Sequence, residues 1–272
     1  MRVACAQVAP SVGDLAANRE RAEAALEEAF SAGAQLVVLP ELCSSGYVFE
    51  SEDEARALAE PVEGPTLAAW AALARSAGGI VVGGFCELAA DGRLHNTAAA
   101  VDGGGVLAIY RKIHLWDLEK LVFSPGESPA PVVETPLCRI GIGVCYDILF
   151  PEVPRALALA GADILVFPTN SPRLAEPRSP LPMEVLVAMA TAHVNRVYVI
   201  VADRCGTERG VEWIGGSVVV GPDGWLLAGP PESPSPAVLL ADCDVRQARD
   251  KRWGESNDLF GDRKPALYPR LP

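Results

Sequence analysis

Two ten-residue segments share half of their residues. Ala32–Glu41 reads AGAQLVVLPE and Ala160–Thr169 reads AGADILVFPT, with five of ten positions identical. Each is a glycine turn followed by an unbroken run of aliphatic residues. Such a run does not alternate with polar residues, so it describes a strand buried on both faces of a sheet. In both copies a strand and then a helix come first. Arg2–Val8 and Leu15–Ala32 lead into the first run; Arg139–Cys145 and Glu152–Ala160 lead into the second. Two related strand–helix–strand units imply an α/β fold with internal pseudo-symmetry.

The rest of the chain fits that alternation. Asp14 is placed to cap the first helix and Gly33 to end it. Pro65 starts a helix over Thr66–Ala77. Apolar runs between Gly- and Asp-rich turns predict strands at Gly79–Glu87, Leu94–Val101, Gly105–Arg111 and Val132–Thr135. Asp163–Pro168 is a strand and Pro182–Arg196 a helix. Val197–Asp203, Gly216–Gly221, Trp225–Ala228 and Ala237–Cys243 complete the strands. A short helix after Arg246 leads into the tail Lys264–Pro272. No linker interrupts the pattern, so residues 1–272 read as one domain.

Composition narrows the function. Half of the 272 residues are hydrophobic, enough for a large core, and the net charge is −12. That charge repels nucleic acid and anionic membrane surfaces. No run of 18 apolar residues is present, and the N-terminus is too polar for a signal peptide. Seven cysteines cannot all pair within the chain. None forms a C-x2-C or C-x4-C pair, so no structural zinc site is expected. They read as free thiols in a reducing compartment, and the expected location is cytoplasmic.

Reactive groups in such sheets gather where strands end. Glu41 ends LVVLPE, Lys112 ends GVLAIYRK and Cys145 ends RIGIGVCYD. Taken singly, these fit a solvated carboxylate, an edge cation and a small buried hydrophobe. Taken together they supply a base, a cation and a nucleophile. A Cys–His pair using His95, His114 or His193 is an alternative. A binding or regulatory protein without catalysis is another.

The same segments resemble the nitrilase superfamily of carbon–nitrogen hydrolases, and the likeness covers nearly the whole chain. LVVLPEL (36–42), YRKIHL (110–115) and GIGVCYDILFPE (141–152) carry it, supported by HNTAAAVD (95–102), EKLVFSPGE (119–127) and GGSVVVGPDG (215–224). The resemblance implies a four-layer α-β-β-α sandwich. It implies Cys145 as nucleophile, Glu41 as general base and Lys112 as stabiliser of the tetrahedral intermediate. Glu119 would position the substrate amide and the lysine, and the Tyr146 N–H would complete an oxyanion hole. Tyr47, Trp116, Leu149 and Asn170 are expected to line the pocket.

No metal or organic cofactor is implied. The expected partners are a small amide substrate and a second copy of the chain, paired through Pro151–Gly161 and Pro182–Val194. Relatives that act on carboxylate-bearing amides often carry an arginine three or four residues after the nucleophile. Here those positions are Ile148 and Leu149, which points to neutral amides. Arg173 or Arg204 could supply a cation from elsewhere. An ω-amidase or an N-carbamoyl amino acid hydrolase is the alternative within the family. Nitrile hydrolysis is disfavoured by Tyr146, where such relatives tend to carry Trp.

Overall fold

The computed structural model describes residues 1–174 and 179–268. Strands β1 (Arg2–Gln7), β2 (Leu36–Val38), β3 (Ile80–Leu88), β4 (Leu94–Asp102) and β5 (Gly105–Arg111) belong to one sheet. A second sheet holds β6 (Val132–Glu134), β7 (Arg139–Ile142), β8 (Ile164–Thr169), β9 (Tyr198–Asp203), β10 (Val218–Val220) and β11 (Leu226–Ala228). Strand β12 (Ala237–Asp242) returns to the outer edge of the first sheet, antiparallel to β1.

The pseudo-symmetry expected from the repeat is present in the topology. The sheets run β12-β1-β2-β3-β4-β5 and β6-β7-β8-β9-β10-β11. In each, the first pair is antiparallel, the next two are parallel and the last two are antiparallel. The repeated segments form β2 and β8, at matching places.

Strand alternation explains the layers. Val3, Cys5, Leu36 and Val38 face Ile140, Ile142, Ile164 and Val166 in a core between the sheets. Ala4, Val37, Val81 and Phe85 point the other way, under helices α1 (Leu15–Ser31) and α2 (Pro65–Ala77). Leu165, Phe167, Val199 and Val218 pack under α3 (Glu152–Leu159) and α4 (Met183–Asn195). Every residue of β2 and β8 is buried, as strands covered on both faces require. The result is the four-layer α-β-β-α sandwich.

Asp14 caps α1 by accepting the Ala17 N–H, and Gly33 follows the helix at φ 85°. Two strand ends differ from expectation. β2 stops at Val38, so Glu41 lies in a turn beyond it. Pro40, with no N–H to offer a ladder, separates the two. β7 stops at Ile142, so Cys145 opens a 3-10 turn, Cys145–Leu149, instead of ending a strand. The Val144 N–H is taken by the Asp147 carboxylate at 2.9 Å and is lost to the sheet.

Some short elements lack a periodic signal. They include a helix at Glu52–Leu58, a helical turn at Glu119–Val122 and two small hairpins, Thr207–Glu208 with Val211–Glu212 and Arg252–Trp253 with Asn257–Asp258. The helix after Arg246 is Val245–Arg249. Tail residues 269–272 lie outside the described residues. Among the described residues no helix is long and apolar enough to cross a membrane.

Candidate active site

The turn after β2 brings Glu41 beneath β3. Gly84 allows this approach, because a Cβ there would lie 2.5 Å from the Glu41 Cα. Its N–H donates to the Pro40 carbonyl at 2.9 Å and its carbonyl accepts the Cys43 N–H at 2.8 Å. Lys112, just past β5, is anchored by its N–H to the Asn96 carbonyl at 2.9 Å. Glu119 opens its helical turn a few residues later.

These three side chains meet in the interior. The Lys112 Nζ donates to Glu41 Oε1 at 2.7 Å and to Glu119 Oε1 at 2.8 Å. Lys112 and Glu41 are wholly buried. The Asn96 amide donates to Glu41 Oε1 at 2.7 Å and reaches Glu119 Oε1 at 3.3 Å. Tyr47 donates its hydroxyl to Glu119 Oε1 at 2.6 Å, and the Trp116 N–H donates to Glu119 Oε2 at 3.0 Å. Glu41 Oε2 is buried and has no partner.

The electrostatics follow from burial. Desolvation pushes Glu41 up to about 7, with Lys112 pulling it back and Glu119 adding to the rise. Desolvation opposes the Lys112 charge, but Glu41 and Glu119 outweigh it and hold the ammonium protonated. Burial, then Glu41, push the Cys145 thiol well above its ordinary value. The resting thiol is therefore neutral, beside a carboxylate that titrates near neutrality.

Cys145 sits at φ 44°, a left-handed backbone that a non-glycine residue adopts only when its surroundings impose it. Asp147 is the imposing group. Wholly buried, it accepts the Val144 N–H, the Tyr110 hydroxyl at 2.9 Å and the His114 ring Nδ1 at 2.7 Å. His114 also stacks on Phe150, with ring centroids 3.6 Å apart. Asn170 bridges the two halves of the site. Its carbonyl accepts from Cys145 Sγ at 3.7 Å and its amide donates to the Glu41 carbonyl at 3.0 Å. The Tyr146 N–H lies in the first turn of the 3-10 segment, where helical N–H groups have no partner within the helix.

The pocket residues divide. Trp116, Leu149 and Asn170 line a cavity of about 150 Å³ at Cys145, together with Tyr146, Ile148, Met183, Glu184 and Val187. Leu149 is half exposed at the rim. Tyr47 stands beside that cavity. It lines the neighbouring cavity with Trp116, Glu119 and Trp213, and its hydroxyl is committed to Glu119.

Neither candidate arginine enters the Cys145 cavity. Arg204 is buried against Glu208, and Arg173, near Glu212, lines an adjoining cavity that shares Pro172, Leu174, Met183 and Glu184 with the first. The three histidines bond elsewhere: His95 to the Ser124 carbonyl, His193 to the Asp223 carbonyl and His114 to Asp147. The Cys–His alternative thus finds no geometric support.

A buried acid, a buried ammonium and a strained thiol have the makings of nucleophilic attack on a carbonyl. Comparison with known proteins agrees. The carbon-nitrogen hydrolase family model matches residues 2–252. The chain belongs to the nitrilase superfamily of carbon–nitrogen hydrolases. A nitrilase from Pyrococcus abyssi is 37% identical over 99% of this hydrolase and 100% of its own length. An N-carbamoylputrescine amidase from Arabidopsis thaliana is 32% identical over 95% and 91%. An amidase from Nesterenkonia sp. AN1, solved with an acetamide moiety of fluoroacetamide on its active-site cysteine, superposes with a TM-score of 0.80. It is 30% identical and covers 98% of this chain and 95% of its own. This hydrolase therefore acts on carbon–nitrogen bonds and is amidase-like.

Two residues of the site escaped the sequence reading of roles. Asn96 lies inside HNTAAAVD and Asp147 inside CYD, both within quoted segments. The signal for Asn96 was a polar trio, His95-Asn96-Thr97, at the start of a strand that continues as an apolar run.

Proposed function

We propose that this hydrolase cleaves a small neutral carboxamide to the acid and ammonia through a thioester on Cys145. The buried ammonium of Lys112, shared by Glu41 and Glu119 beside the thiol, carries the reading. Cys145 attacks the amide carbon while the unpartnered Glu41 Oε2 accepts the thiol proton. The oxyanion is stabilised by Lys112 and the Tyr146 N–H, preorganised donors in a dry site. Glu41 returns the proton to the departing nitrogen as the C–N bond breaks, and ammonia leaves. Glu41 then takes a proton from water, which attacks the thioester. Collapse expels Cys145, which regains that proton, and the acid is released. Glu119 holds Lys112 and, with Tyr47, frames the amide.

Substrate charge follows from the cavity. Among the described residues Glu184 is the one charged side chain that lines it. A carboxylate-bearing substrate would meet like charge there and, among the described residues, no arginine fork. The test is kcat/KM for propionamide and butyramide against ω-amides and N-carbamoyl amino acids of similar size. The neutral set is expected to lead; preference for the anionic set overturns the proposal. Glu184 also favours a second reading, an amide with a distal ammonium, which N-carbamoylputrescine in the same assay would reveal.

Lys112→Gln should lower kcat by about a hundredfold with little change in KM, since the oxyanion exists only beyond the ground state. Glu119→Leu should keep the fold and a thiol reactive towards small electrophiles, yet turn over amides poorly. A change confined to KM in Lys112→Gln contradicts the role given to it.

Residues 1–272 form one hydrolase domain, which the core shared by the two sheets supports. A homodimer through α3 and α4 is supported by a groove of about 340 Å³ lined by Leu149, Pro154, Val187 and Val194. A cytoplasmic location is supported by seven free cysteines.

A further inference from the structure

Arg204 and Glu208 form an ion pair away from the Cys145 cavity, with side chains 1% and 4% exposed. Burying two charges is expensive and is repaid only when the remaining hydrogen-bonding capacity is also satisfied. The bonds made by Glu208 are therefore informative. One oxygen accepts the Val12 N–H at 2.8 Å; the other accepts the Tyr47 N–H at 2.9 Å and the Val48 N–H at 2.8 Å. The Arg204 guanidinium donates to both oxygens, at 3.2 and 3.0 Å, and to the Pro10 carbonyl. Gly46 presses close beneath: a Cβ there would lie 2.7 Å from Glu208 Oε1. One carboxylate thus gathers the backbone of two loops that come from distant parts of the chain.

The same pair reaches Tyr47 by a second route. The guanidinium lies over the Trp213 ring at 4.5 Å, and Trp213 meets the Tyr47 ring edge-on at 5.3 Å. Tyr47 is therefore held at its backbone by Glu208 and at its ring by Trp213. Its hydroxyl then makes the 2.6 Å bond to Glu119, which bonds Lys112 at 2.8 Å. Nothing else about this arrangement needs an ion pair. A hydrophobic pair would fill the space, but it could not orient three N–H groups.

We propose that Arg204 and Glu208 are positioning residues for the hydrolytic site, acting through Tyr47 on Glu119 and Lys112. They touch neither substrate nor reacting atoms. This rests on the roles proposed above for Glu119 and Lys112. Wild-type turnover of butyramide is therefore measured first, because its absence would count against those roles and not against the brace.

The experiment is a double-mutant cycle on kcat and KM with Glu208→Gln, Tyr47→Phe and the pair, each checked for folding by circular dichroism and Tm. The glutamine keeps the size but cannot accept at both ends, so Tyr47 shifts. A displacement of this kind costs about ten- to a hundredfold in kcat. If the brace works through Tyr47, the double variant is no slower than the slower single one. If the single losses multiply, or folded Glu208→Gln has wild-type kcat, the proposal fails. It also fails if the change is confined to KM or Tm. Should Glu208→Gln not fold, Arg204→Lys takes its place in the cycle. It keeps the charge but loses the fork and the stacking on Trp213, and the same outcomes decide.

Discussion

Cys145→Ala should lose amide hydrolysis by more than about a thousandfold, because it removes the thiol on which the covalent intermediate forms. The selectivity of labelling is the sharper result. Mixed with acrylamide or fluoroacetamide, the wild type should take up one adduct, and peptide mapping should place it on Cys145. The other six thiols are buried, and burial pushes Cys5, Cys43 and Cys243 up to about 12 and Cys138 and Cys205 to about 11. Cys145 is also held protonated, so a low pKa cannot be the source of its selectivity. Access from the cavity and the proton acceptor Glu41 must be. Labelling should therefore slow markedly in Glu41→Gln while remaining on Cys145. An adduct on another cysteine, or full activity in Cys145→Ala, would sink the assignment.

How much of this was legible depended on where each residue sits along the chain. Glu41, Lys112 and Cys145 each follow an apolar run, and the end of a buried strand is where polar groups become conspicuous. Their exact backbone setting was not legible. Both β2 and β7 end earlier than their apolar runs do, because Pro40 offers no N–H and Asp147 takes the one at Val144. Periodicity registers hydrophobicity, not a side chain that competes for a backbone donor three residues away. Asn96 was hidden for a related reason. It sits within strand β4, and only the folded structure shows two carboxylates converging on its amide. The Arg204–Glu208 pair shows the limit more clearly. Its spacing of four residues reads as a surface pair on a helix, yet it lies on and beside a short hairpin and is buried. By contrast, the repeat carried the fold well, since β-α-β order and burial on both faces are properties that sequence periodicity records directly.

Glu41→Gln isolates the base. The substitution keeps the size of the side chain and an oxygen that can accept from Lys112 and Asn96, so the fold should survive. What it removes is the proton acceptor at the Oε2 position, and general-base loss lowers kcat by about a hundred- to ten-thousandfold. The pH profile separates this from a structural effect. Burial raises Glu41 to about 7. Below that pH the carboxylate is protonated and cannot take the thiol proton, so wild-type kcat/KM should rise with pH through an acid limb near 7. In Glu41→Gln that limb should vanish, leaving a low and flat profile over the same range. Lys112→Gln should act on the limb in a different way. Removing a cation beside Glu41 disfavours its ionised form, so the acid limb should move to higher pH. The limb must therefore disappear in one variant and shift upward in the other. A limb near 7 that persists unchanged in both would assign the titration to a different group and remove Glu41 from the role of base.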